Sequence, residues 1–137
     1  MNFPKIDLAR IQLERAIELF LDAKDYVSTV TLAGASEEIS RHILERDGKV
    51  PVVDSLKDWL QQNHRASELH KDFYNNANAT RNGLKHFTDP SGVSVYVGEE
   101  EALYWVLRAL MNYGRVTNQQ LTPIMDRFVK WWKENNA

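Results

Sequence analysis

Apolar residues in this chain recur at intervals of three and four through most of its length, and only one short stretch alternates in the two-residue rhythm of a strand. That periodicity limits the fold to helices that bury one stripe each. Leu13, Ala16, Ile17, Phe20 and Leu21 form the first stripe, with Arg10, Glu14, Arg15 and Glu18 on the other face. They predict a helix over about 6–23, and a break at Lys24-Asp25 leads to a second over about 26–45. Arg46-Asp47-Gly48 reads as its glycine cap. Within the second helix, Ala33-Gly34-Ala35 lets a neighbouring backbone come close, at about 1 kcal/mol of helix propensity for Gly34. Pro51 falls in a loop, after which Asp54 or Ser55 caps a short helix to about residue 63.

The third long helix spans about 67–87, with Leu69, Phe73, Ala77, Thr80, Leu84 and Phe87 as its apolar stripe. Asp89-Pro90-Ser91-Gly92 is a turn, and 93–97 alternates like a strand with no partner, so 88–98 reads as a short extended insertion or minor hairpin. A helix over about 99–113 opens with Glu99-Glu100-Glu101, where the dipole favours acids. The last begins at Thr122-Pro123, an N-cap followed by proline at the first helical position, and runs to about 134. The expected fold is all-α: a single domain over 1–137, an up-and-down bundle of four long helices plus one or two short ones.

With 43% apolar and 26% charged residues, the chain can fill a core and remain soluble. Formal net charge is -2 and cysteine is absent. Disulfides and zinc-thiolate sites are thereby excluded, and a reducing, cytoplasmic setting is expected. Met1-Asn2-Phe3-Pro4-Lys5 lacks the regions of a secretory signal, and no apolar run is long enough for a membrane span. Proteins that hold nucleic acid by bulk attraction are strongly basic, so any such function here rests on a local site. One segment qualifies: residues 61–88 hold four Lys/Arg, two Asp/Glu and three of the four His.

The third long helix concentrates the chemistry. Asn75, Asn76, Asn78 and Asn82 fall within eight residues, although asparagine is a mediocre helix former. At about 100° per residue, Asn75, Asn78, Asn82 and His86 fall within roughly 80°, nearly opposite the apolar stripe. The expectation is an amide-rich ridge facing away from the core. Arg81 lies about 140° from His86, so its long side chain must reach round to meet an anion beside it. Asn82 shares a face with His86 and can orient the imidazole. Gly83 leaves room for a backbone or a phosphate to approach. Such a set suits phosphoryl transfer on RNA without a metal. His86 acts as general base or acid, Arg81 supports the crowded phosphorane, and an adjacent ribose 2′-OH is the nucleophile. Asn75, Asn78 and Lys85 are candidates for holding the substrate. The competing reading is a wet polar face without function.

Arg81-Asn82-x-x-x-His86 resembles the arginine, polar residue, spacer and histidine signature of the HEPN superfamily. The opening pair of helices, from Ala16-Ile17-Glu18-Leu19 through Asp25-Tyr26 to Ala35-Ser36-Glu37-Glu38, is similar to that family's hairpin. The resemblance implies a metal-independent endoribonuclease without cofactor, of the toxin or defence type. It also implies a homodimer that forms a composite cleft, with Arg81 and His86 as the catalytic pair and Asn82 as the polar helper. RNA and an antitoxin or other protein are the implied partners. Other members are catalytically silent and bind proteins or nucleotides, and this alternative stays open. The acidic Asp89 and Glu99 to Glu101 would repel RNA if they lay beside the cleft.

Other constellations are weaker. Glu38 with His42, and Glu68 with His70, lack the repeated Glu-x-x-His of di-metal bundles, and Glu38-His42 reads as a surface ion pair. Trp59, Trp105, Trp131 and Trp132, with Tyr104 and Tyr113, fit core packing better than a base-stacking platform. Adjacent helical residues point about 100° apart, so Trp131 and Trp132 cannot share one core, and one is expected over a helix end or a subunit contact. Arg127, Lys130 and Lys133 read as solvated. Ser36 and Ser40 have no His-Asp arrangement, and no glycine-rich phosphate loop occurs.

Overall fold

A computed structural model describes residues 1–53, 55, 71–85 and 94–135, with the side chains of 71–77 outside that description. Five long helices account for most of it: α1 (Lys5–Glu18), α2 (Tyr26–Arg46), α3 (Lys71–Lys85), α4 (Glu99–Thr117) and α5 (Pro123–Asn135). Val53 and Ser55 are also helical; the rest of the short helix expected to 63 lies outside the described residues, as do 67–70 and 86–87 of the third long helix. The fold is the all-α bundle that the periodicity requires. Among the described residues no helix is long and apolar enough to cross a membrane.

The first expected helix is two conformations in series. After Glu18 the chain widens into a π-helical turn, Leu19–Ala23, which Lys24 ends in the left-handed conformation (φ 52°). This turn carries Phe20, whose ring meets Tyr26, Phe128 and Trp131 at centroid distances of 5.7, 5.9 and 5.1 Å. Asp25 then caps α2, its carboxylate accepting from the Ser28 amide at 3.0 Å. Small residues let α1 and α2 pack closely. The Ser36 hydroxyl donates to the Ala9 carbonyl at 2.8 Å, and Thr29 donates to the Ala16 carbonyl at 3.3 Å. At the far end Gly48 takes φ 72°, and the amides of Gly48 and Lys49 bond to the carbonyls of Glu45 and Leu44. The glycine cap expected at Arg46-Asp47-Gly48 is thus a Schellman closure.

α4 is the centre of the molecule. Every residue from Glu101 to Leu110 is buried, and α2 lies along it, with α1, α3 and α5 packed around the pair. It runs four residues past the expected end at 113, to an Asn118 in the left-handed conformation (φ 55°). Glu101 reaches back to accept from the Gly98 amide at 3.0 Å, so the acidic first turn closes its own helix end. Burial raises the Glu101 carboxyl above the ordinary range, with the Gly98 bond opposing. At the other cap expected from sequence, the Thr122 hydroxyl is buried without a hydrogen-bond partner.

Trp132 is buried in the core, while Trp131 covers Phe20 and stacks on Phe128 at 5.8 Å. The two tryptophans thus divide between the core and a helix end. Arg127 is not merely solvated: it pairs with Asp22 of the π-helical turn.

Candidate functional site

Burying α4 on all sides creates the site, because α4 carries charge. Arg108 follows the apolar run from Ala102 to Leu107, and its side chain is only 7% exposed. A buried guanidinium must find a partner carboxylate and further hydrogen bonds. Glu37 of α2 supplies the carboxylate, 3% exposed, accepting from Arg108 Nη2 at 2.8 Å. The same oxygen, Glu37 Oε1, accepts from Asn112 Nδ2 at 3.3 Å and lies 3.4 Å from Arg41 Nε. Asn112 in turn accepts from the Val52 amide at 3.0 Å, tying the loop after α2 into the network. Arg108 Nη1 donates to Asn78 of α3 at 3.2 Å, and the guanidinium stands 4.4 Å from the centroid of the Trp105 ring. One arginine therefore joins α2, α3 and α4.

Above this network lies a cleft of about 200 Å³. Its walls are Gly34, Glu37, Glu38 and Arg41 of α2, Asn78, Arg81, Asn82 and Lys85 of α3, and Trp105 and Arg108 of α4. The four α3 residues stand at i, i+3, i+4 and i+7, the spacing of one helix face. Four of the sequence candidates thus meet in one place: Arg81, Asn82, Asn78 and Lys85.

Arg81 does not reach round from another face, as its position on the helical wheel suggested. It is 9% exposed and lies across α2, where a β-carbon added at Gly34 would stand 2.6 Å from its Cζ. The close approach that Gly34 permits is by this guanidinium, not by a neighbouring backbone. Trp105 backs it at 5.9 Å, so two cations share one indole. Arg81 Nη2 is 3.8 Å from Glu38 Oε2, and Lys85 Nζ is 3.7 Å from the same oxygen. Both separations exceed hydrogen-bond length.

The asparagine ridge is only partly the wet face expected. Asn78 is half-buried against Arg108 and Asn82 is exposed, whereas the Asn75 side chain lies outside the described residues. His86 also lies outside them. Gly83 offers no room to a phosphate, because Val95 fills it, with Cγ1 3.1 Å from an added β-carbon. Thr80 donates to the Tyr96 carbonyl at 2.9 Å. Residues 94–98, neither helix nor strand, therefore cover the Thr80-Gly83 side of α3, about 150° from the cleft. Glu99, the first acid of α4, is distant too. It sits at Tyr26 (3.4 Å), eight residues and about 12 Å along α2 from Gly34.

Sequence reasoning missed the α2 and α4 walls. Arg108 and Asn112 sit in an otherwise apolar stretch, and a charge there was the available signal for a buried polar network. Glu38, set aside with His42 as a surface pair, is 4.0 Å from His42 and also faces the cleft. Among the described residues no group of three or more His, Asp or Glu could hold a metal ion.

Chemically, the Arg108-Glu37-Asn112 network holds the walls in place, with Arg108 Nε its one buried donor left without a hydrogen bond among the described residues. Arg81, Lys85 and Asn82 remain to meet an anion. With four cations against two carboxylates, the cleft carries a local positive excess on a chain whose net charge is -2. Comparison with family models, with curated proteins and with solved structures finds no match to this chain.

Proposed function

We propose that this protein is a HEPN-like, metal-independent endoribonuclease of the toxin or defence type, and that the cleft receives the phosphate of the RNA backbone. The observation that carries this reading is the meeting of Arg81, Asn82 and Lys85 on one positively charged cleft between α2, α3 and α4. At about 200 Å³ the cleft is smaller than an ordinary small-molecule pocket, roughly 300–1,000 Å³, and suits one phosphate group with the nucleosides outside. Trp105, 5% exposed beneath two guanidiniums, is closed to base stacking. Recognition is therefore of backbone rather than base.

In this scheme His86, next to Lys85 in the chain, takes the proton of a ribose 2′-OH. The 2′-oxygen bonds to phosphorus, the bond to the 5′-oxygen breaks, and the leaving oxygen is protonated by water or by a second imidazole. Arg81 stabilises the charge that builds on the phosphorane oxygens. A homodimer with a composite cleft would supply that second imidazole, and an antitoxin or other protein partner would restrain the enzyme.

A catalytically silent module that binds a protein or a nucleotide is the second reading. It is favoured by the depth at which Arg81 is packed between Gly34 and Trp105. One experiment separates the two. Purified wild type, Arg81→Ala and His86→Ala, each checked for helical content, are incubated with an RNA oligonucleotide and its DNA counterpart in a chelator. RNA-only cleavage lost in both variants supports the enzyme. A wild type that cleaves neither RNA nor DNA supports the module.

A further inference from the structure

Two adjacent carboxylates on α2 differ in how they are held. Glu37 is bonded and buried. Glu38 is 42% exposed, and one of its oxygens sits between Arg81 and Lys85 at 3.8 and 3.7 Å, held by charge alone. Its other oxygen faces His42 at 4.0 Å. Glu38 also lines a second groove, of about 470 Å³, beside Lys5, His42 and Arg46. A carboxylate displaced from the cleft thus has Lys5 and Arg46 to turn toward.

We infer that Glu38 is the resident counter-anion of the cleft, which an incoming phosphate displaces. This rests on the phosphate-binding reading above. A ligand carrying one negative charge only replaces the one it removes, whereas a ligand carrying two leaves the cleft better neutralised. Glu38 thus competes with every entering anion for Arg81 and Lys85.

The test is a titration of the whole protein with methyl phosphate, doubly charged at about pH 8, and with dimethyl phosphate, singly charged. Binding is followed by amide chemical shifts in low salt. Glu38→Gln is compared with wild type and with Glu134→Gln, the same charge change at an exposed site on α5. Displacement costs the same whichever ligand enters. Glu38→Gln should therefore tighten both ligands by an equal factor, about three- to tenfold, as for two partly exposed ion pairs. Glu134→Gln should tighten neither. Wild-type binding with no gain in Glu38→Gln overturns the role of Glu38 and leaves the phosphate cleft standing. A larger gain for methyl phosphate than for dimethyl phosphate overturns displacement, because a fixed carboxylate repels the doubly charged ligand more strongly. If no protein binds either ligand, the phosphate reading fails with it.

Discussion

Gly34→Ala tests the central geometric claim, that Arg81 lies in the space left by a missing side chain. Alanine is about 1 kcal/mol better than glycine inside a helix, so on an open face the change would stabilise α2 by that amount. Here the added carbon would fall inside the Arg81 side chain, 2.6 Å from Cζ. Overpacking of this kind costs about 1–3 kcal/mol, which leaves a net loss of about 0–2 kcal/mol. The informative quantity is the coupling. With Arg81→Ala already present the obstruction is gone, and Gly34→Ala should then stabilise by about 1 kcal/mol. Urea denaturation of the four proteins, followed by circular dichroism and extrapolated to water, gives the cycle. A coupling energy of about 1–3 kcal/mol is expected, together with loss of phosphate binding in Gly34→Ala alone. Equal effects of Gly34→Ala in both backgrounds, within about 0.5 kcal/mol, would refute the contact.

Arg108→Ala should lower stability by about 3 kcal/mol, because it takes from the buried Glu37 carboxylate its closest cation and leaves only Arg41, at 3.4 Å, to balance it. Combining Arg108→Met with Glu37→Gln should recover most of that loss in the same urea assay. Glu101→Gln keeps an acceptor for the Gly98 amide but removes a charge that burial disfavours. A folded pKa raised above 4.5 means that wild type loses stability as pH climbs through that value. The melting temperature of Glu101→Gln should therefore rise relative to wild type between about pH 4.5 and neutrality, and a constant difference would count against the buried charge.

Several features of this chain are local, and these are legible without coordinates. The helical class follows from apolar spacing, and the end of α2 from Gly48, which takes the positive φ that a Schellman closure requires. The separate fates of Trp131 and Trp132 follow from the 100° between neighbouring helical positions. Arg81, Asn82, Asn78 and Lys85 could be singled out because they are close in sequence and unusual for a helix surface. Asn78, Arg81, Asn82 and Lys85 also obey a spacing that puts them on one face.

What that face meets is another matter, since a helical wheel describes angles and not neighbours. Arg81 looked remote from its helix's working side, yet Gly34 opens a berth for it on α2 and Trp105 closes the back. Gly83 looked open, yet Val95 occupies the space. Neither pairing leaves a local signature, because each joins segments a dozen or more residues apart.

The amino-acid pattern alone determined that this protein is a set of amphipathic helices with an Arg-Asn-rich segment in one of them, because periodicity and capping act over a single helical turn. Only the tertiary structure decided that α4 is enclosed on all sides. Once it is, Arg108 must be neutralised by Glu37, and the walls so joined bring Arg81, Lys85 and Glu38 to one cleft. The physical reason is desolvation: a charge chooses its partner only when water is removed from it, and which charges lose their water depends on how the helices assemble.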